Sequence, residues 1–289
     1  MTFDDRQIRV RTRQNVFFET FVAAPVGHII CALALLNSGK ATIADPNAYF
    51  KANTWPDIRY ITDINRSTTH KFSGDGLEYV LDTSSSFELG RRLHVFIDKE
   101  REKHMKKHDA YRFLQNGPLK TQMLKIIEDH ILFDQLKGRF NPEAVFSRIY
   151  DEERNYNINE ADLLTWNNLL KTYLDQTTWF TAVRYFRTLM LFQDAYGLPE
   201  DLSKTLWTKI KTAGFFIYAY FQVEKLSREP ELRKIIFDFY QNRIYELILG
   251  LDARALDRSV ENLQIPSDHG KNSSILIARL FNKAELLIE

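Results

Sequence analysis

From Arg92 to His104 the chain reads Arg-Leu-His-Val-Phe-Ile-Asp-Lys-Glu-Arg-Glu-Lys-His, with neither glycine nor proline to interrupt it. Leu89, Leu93, Phe96 and Ile97 recur at three- and four-residue spacing, which selects an amphipathic helix. The pattern predicts a helix over residues 86–113, stopped at Asn116-Gly117-Pro118. On such a helix His94 and Asp98, four residues apart, lie one above the other on the same face and can grip one cation. His104, ten residues beyond His94, is turned by roughly 80° from it and points nearer to a second ion than to the first. Taken alone, a His and an Asp one turn apart also fit a solvated pair or a cap, so the remainder of the chain decides between the two readings.

That remainder is helical in pattern. Pro25 opens an apolar stretch whose helix, 28–37, is buried on all sides and ends at Asn37-Ser38-Gly39; His28 stands in its first turn. Residues 38–85 are loop-rich, with a short helix at 47–53 and a bend at Trp55-Pro56-Asp57-Ile58. Pro56 fixes its own φ and biases Trp55 away from helical angles, leaving Asp57 just after a rigid turn, as a helix cap or a metal ligand. A helix over 119–137 carries His130 and Asp134 at the spacing of His94 and Asp98, and ends at Gly138. Further helices are expected at 159–175 with Asn159 as cap, then at 177–196, 201–226, 230–249, 251–263 and 273–289. No strand alternation persists beyond four or five residues. The expected fold is therefore all-α: a multi-helix bundle with a metal site between helices. It is organised as a metal-binding helical domain, 1–140, and a helical extension, 141–289, packed beside it or on it as one globule.

Composition excludes several functions. The 39 basic and 38 acidic residues leave a net charge of +1, which gives no electrostatic case for a nucleic-acid or membrane-surface binder. The one cysteine, Cys31, rules out an internal disulfide framework and fits a reducing, cytoplasmic setting. The longest apolar run, 29–36, falls far short of the ~20 residues that span a bilayer, and the charged start does not read as a signal peptide.

Chemistry is concentrated in His28, Asp57, His70, His94, Asp98, His104, His130 and Asp134, five of the seven histidines among them. Mixed nitrogen and oxygen ligands without thiolate suit a catalytic zinc ion, or manganese or iron. Their order and spacing, with Pro56-Asp57-Ile58, Thr69-His70, His94-x3-Asp98-x5-His104 and a later His-x3-acid, resemble the zinc-dependent phospholipase C family, whose all-helical superfamily includes the fungal single-strand-specific nucleases. The resemblance covers about residues 20–137. It implies that Asp57, His70, His94 and Asp98 hold one zinc, that His104, His130 and Asp134 hold a second, and that His28 with the bridging Asp98 serves a third. It further implies hydrolysis of a phosphoester, phospholipid included, by metal-bound hydroxide attacking phosphorus, with Asp57 as general base. Asp134 stands where that family carries Glu, and Glu128 and His108 are substitute ligands for the second ion.

Two other readings stay open. His108-Asp109, flanked by His70 and Asp134, has the order of an HD-type phosphohydrolase. Alternatively residues 141–289 are the working surface of a helical interaction protein whose metal site is structural or vestigial.

Overall fold

The computed structural model describes residues 25–62, 64–114, 120–175 and 221–250; the helices expected at 177–196, 251–263 and 273–289, and residues 201–220 of the one expected at 201–226, lie outside them. Among the described residues the regular structure is helical throughout and no strand occurs, so the all-α expectation holds. None of the described helices is long and apolar enough to cross a membrane.

Helix α1, Pro25–Asn37, starts on its proline and ends where Gly39 takes φ 66°. Helix α2, Pro46–Thr54, is capped by Asp45, whose carboxylate accepts the Ala48 N–H at 3.0 Å. The expected bend is a 3₁₀ segment, Trp55–Tyr60, running on directly from α2. Pro56 has no N–H to continue the α-helical ladder, but the tighter winding accommodates it. Two short helices, α3 (Arg66–Thr69) and α4 (Gly76–Leu81), break the loop-rich segment. Helix α5, Ser86–Lys107, is the longest at 22 residues and is capped by Ser85. It stops short of residue 113 because Asp109 adopts the left-handed conformation (φ 48°), which Asp tolerates better than most residues, and Ala110–Phe113 wind as 3₁₀.

Helix α6, Lys120–Leu132, tightens into a 3₁₀ turn, Phe133–Leu136. Short helices α7 (Pro142–Val145) and α8 (Asp151–Arg154) lead to α9, Glu160–Leu174, where Asn159 Oδ1 accepts the Asp162 N–H at 2.8 Å as its sequence position predicts. Residues 221–226 are helical. The expected helix 230–249 comprises α10 (Pro230–Phe237), a π-helical turn (Asp238–Arg243) and α11 (Ile244–Leu249).

Helix α1 is the axis of the core. Every residue from Pro25 to Leu35 is buried, as an all-round apolar sequence requires, because α2, α5, α6, α9 and α11 each pack against it. The tightest packing joins α2 to α5 at Gly90, where a Cβ would lie 2.1 Å from the Tyr49 carbonyl oxygen. Only glycine permits that approach, and it brings the middle of α2 against the second turn of α5. Gly27 is the second such point: the Tyr240 hydroxyl, from the π-helical turn, sits where its Cβ would be.

Candidate metal centre

Five side chains from four parts of the chain meet beside α5. His94 and Asp98 come from its third and fourth turns, His28 from the first turn of α1, Asp57 from the 3₁₀ segment after α2, and His70 from the end of α3. His94 Nε2 lies 3.7 Å from Asp98 Oδ2 and 4.0 Å from Asp57 Oδ2. His70 Nε2 lies 3.8 Å from Asp98 Oδ2 and 3.9 Å from Asp57 Oδ1. His28 Nε2 stands 3.6 Å from the other oxygen of Asp98, and its ring stacks on His94 at 3.9 Å. Separations of this size are too long for hydrogen bonds and close to the ~3.4 Å edge of a tetrahedron of nitrogen and oxygen ligands around zinc.

The tautomers favour ligation. His94 Nδ1–H donates to the Asn53 carbonyl at 2.8 Å, since a carbonyl only accepts, and this leaves Nε2 with its lone pair facing the centre. Gly90 makes that bond geometrically feasible, because Asn53 belongs to the helix it admits; Asn53 Nδ2 also donates to the Gly90 carbonyl at 3.2 Å. His70 Nδ1 meets Thr69 Oγ1 at 2.8 Å, and that hydroxyl donates in turn to the Arg66 carbonyl. The relay leaves His70 Nε2 in the same state. His70 Nε2, His94 Nε2 and both Asp57 carboxylate oxygens are buried and have no hydrogen-bond partner among the described residues. A buried polar atom left so costs about 1–3 kcal/mol, and a group of them facing one point is the arrangement a bound cation resolves. The donor set fits a divalent ion, with no thiolate and two carboxylates to balance its charge.

Burial sets the protonation states. It holds the His70 imidazole down to about 3, assisted by the Arg66 charge, and holds His94 well below the usual histidine range, assisted by its neighbour His28. Both rings are therefore neutral and already competent to ligate. Burial raises the Asp57 carboxyl against the pull of Lys125. For Asp98 burial acts in the same upward direction but is outweighed by Lys125 and the two nearby imidazoles, so its carboxyl lies well below the ordinary range.

Three cations rim the centre, and the sequence reading did not single them out. Lys125 Nζ is 3.3 Å from Asp98 Oδ1, Arg66 is 3.6 Å from Asp98 Oδ2, and Arg59 is 3.9 Å from Asp57 Oδ1. Arg66 is 54 % exposed and Asp98 13 %, against 1 % for Asp57, so the Arg66–Asp98 side of the centre lies nearest to solvent. One signal for Lys125 was present in the sequence. Lys125, Glu128 and Asp129 fall at i, i+3 and i+4, a charged stripe on a helix whose other faces are largely apolar.

The residues expected at a second ion go elsewhere. His104 is about 15 Å farther along α5 than His94, at ~1.5 Å per residue. Its Nε2 bonds the Ile235 carbonyl at 3.1 Å, and it groups with His108 and Asp238 instead. His130 pairs with Glu224 at 3.8 Å, and Asp134, 82 % exposed, pairs with Lys137 at 2.6 Å. Glu128 is taken by Arg101 and by the Tyr240 hydroxyl. Among the described residues His104, His130 and Asp134 form no common ligand group, since each is engaged by a different partner. The same ruler places His108-Asp109 about 21 Å from the level of His94, away from His70, which removes the geometry that an HD-type site needs. Compared with known proteins, the chain matches no family model, no curated protein and no solved structure.

Proposed function

We propose that the chain is a metal-dependent hydrolase of phosphoester bonds, with Asp57, His70, His94 and Asp98 holding the ion and His28 beside them. The observation that carries this reading is the convergence of unpartnered, buried Nε2 and carboxylate atoms from separate elements. The bound ion supplies Lewis-acid charge, lowering the pKa of water and taking up negative charge on a phosphoryl oxygen. Zinc suits the donor set best, with manganese or iron as the other metals of that chemistry.

The chain's own residues account for the rest. Arg59, Arg66 and Lys125 surround the carboxylates with positive charge, which favours an anionic phosphoryl group over a neutral ester or amide. Arg66, on the side nearest to solvent, meets the incoming phosphate first. Asp57, with neither oxygen engaged in a hydrogen bond among the described residues and its carboxyl raised by burial, takes the proton from water as the new O–P bond forms. The P–O bond to the leaving group then breaks, and the alcohol departs with a proton from solvent at the Arg66 side. His94 and His70 stay neutral and hold their lone pairs in place. A phosphodiester such as a phospholipid head group is the substrate class that the resemblance of the motifs favours.

Metal analysis of purified protein tests the first half of this reading: a fully folded chain with no tightly held metal refutes it. Cleavage of nitrophenyl phosphorylcholine tests the second half. His94→Ala is expected to lose metal and activity together, and Asp57→Asn to abolish turnover. Metal lost from both variants, with no phosphoester cleaved by the parent across phospholipids, nucleotides and single-stranded nucleic acid, would favour a structural ion instead.

A further inference from the structure

We propose that His104, His108 and Asp238 hold a divalent transition-metal ion of their own, which clamps the start of the π-helical turn to the end of α5. The site shares no residue with the centre around His94 and begins about 15 Å farther along the helix, at ~1.5 Å per residue. Local structure puts the donors in place. The His108 N–H donates to the His104 carbonyl at 3.1 Å, an α-helical bond at the end of α5. The two rings therefore sit one turn apart on one face, with centroids separated by 4.4 Å. Asp238 arrives as the first residue of the π-helical turn. Its N–H donates to the Lys234 and Ile235 carbonyls, and its Oδ1 accepts the Asn242 amide at 2.9 Å. Oδ2 is left facing His104 Nε2 at 3.8 Å. That separation is too long for a hydrogen bond and close to the ~3.4 Å edge of a tetrahedron of nitrogen and oxygen ligands around zinc. One ligand atom from each of the three residues lies within 4.8 Å of the other two.

Chemistry selects the ion. Two imidazoles and one carboxylate, without thiolate, suit zinc and its transition-metal neighbours, whereas magnesium and calcium prefer all-oxygen sets. In the metal-free chain His104 Nε2–H donates to the Ile235 carbonyl at 3.1 Å. An ion engaging Nε2 moves that ring proton to Nδ1, and the carbonyl keeps the Asp238 N–H as its donor, so no acceptor is orphaned. His104 is buried and forms the fixed wall of the site, while His108 and Asp238 are partly exposed and can turn to close on the ion. Single π-helical turns recur at functional sites, and this one begins on a ligand. The clamp holds the segment that carries Tyr240, whose hydroxyl bonds Glu128 and lies against Gly27 next to His28.

The test is equilibrium zinc binding by the full-length chain against a competing chelator, with ions assigned by difference. The parent is expected to bind one zinc more than His108→Ala. Asp238→Asn should weaken that ion by more than the roughly 10–100-fold that loss of an outer-shell partner costs. His94→Ala/His108→Ala should in turn bind one zinc fewer than His94→Ala, which puts the lost ion outside the centre at His94. Because the ion binds only the folded chain, zinc should also raise the urea midpoint of the parent further than that of His108→Ala. Equal zinc counts in His94→Ala and His94→Ala/His108→Ala overturn the proposal, as does an equal rise in midpoint. If the histidine variants fail to fold, an Asp238→Asn chain that binds every zinc as tightly as the parent overturns it. Failure of the phosphoester reading leaves all of these differences unchanged.

Discussion

Gly90→Ala isolates the close packing that sets the register of the centre. On an ordinary helix surface the substitution stabilises by about 0.5–1 kcal/mol, because Ala has the higher helix propensity. Here the new methyl would lie 2.1 Å from the Tyr49 carbonyl oxygen, 3.0 Å from its carbon and 3.1 Å from Ala52 Cβ. The nearest obstacle is backbone within a helix, so no side chain can rotate away, and α2 must retreat from α5 by about 1 Å to restore normal contact. Overpacking of this kind costs about 1–3 kcal/mol. Taking the middle of each range, a net loss of about 1 kcal/mol remains, a fall in Tm of about 2 °C for a chain of this size.

The same displacement moves the Asn53 carbonyl away from His94 Nδ1 and carries Asp57, which follows α2 directly, out of line. Loss of a hydrogen bond that orients a metal-binding histidine lowers metal affinity by about 10–100-fold. Thermal unfolding of metal-free protein by circular dichroism, with zinc titration against a competing chelator, reads both effects. A variant that melts at or above the parent temperature and binds zinc as tightly would refute the claim that this glycine holds the ligands in register.

Three further outcomes are expected. Arg101→Met strands the fully buried Glu128 carboxylate and should destabilise by about 3–5 kcal/mol in urea unfolding, whereas Arg101→Met with Glu128→Leu should recover much of that loss. For metal-free protein, His70 titrates near 3 when folded against an ordinary 6.5, and His94 is also lowered. The unfolded chain therefore binds protons first, and these groups lose stability as pH falls from 6.5 to 5, by up to about 2 kcal/mol each. Urea midpoints compared with His70→Asn should show a flatter profile in the variant; identical slopes would contradict the assignment. Asp129 has the opposite sign: burial raises its carboxyl to about 8, so the folded state holds the extra proton and its contribution is lost as pH rises from 3.8 to 8. The stability of Asp129→Asn relative to the parent should then climb between pH 6 and 8 by up to about 1.4 kcal/mol per unit and level off above.

The helices and their ends were legible in sequence because their determinants are local. Pro25, Asn159 and Gly138 each act within one turn, and the apolar period of α1 and α5 needs no partner to be read. His28, Asp57, His70, His94 and Asp98 were legible as residue types at spacings suited to one ion. The second set failed for a reason that spacing alone does not reveal. The spacing already predicts one continuous helix through His104, which the structure bears out, but it does not show where His130 and Asp134 of another helix lie relative to it. Sequence spacing likewise cannot show which of two partners a charged residue will choose: Glu128 was open as a ligand until Arg101 and Tyr240 were seen to enclose it. The π-helical turn at Asp238–Arg243 was missed because it belongs to a pattern that is helical by every local criterion; only the contact of Tyr240 with Gly27 and Glu128 reveals it.

Lys125, Glu128 and Asp129, one stripe of α6, tie the centre to the core in three ways. Lys125 reaches Asp98 on α5, and Glu128 binds Arg101 one turn farther along the same helix and the Tyr240 hydroxyl beyond α10. Asp129 accepts the Gly27 N–H at 3.1 Å, satisfying a donor that the first turn of α1 leaves open, and it holds the Tyr173 hydroxyl of α9 at 2.9 Å. His28 is the residue after Gly27, so the contact that caps α1 also fixes where His28 enters the centre. Ionisable side chains buried to this degree are rarely the most stabilising choice for a core. Their value here lies in direction: an apolar α6 could slide or rotate on α1 with little penalty, whereas these bonds are satisfied at one register only. The stripe thus specifies the alignment of α1, α5 and α6, and that alignment is what sets His28 and Lys125 on one oxygen of Asp98 and leaves the other to His70 and His94.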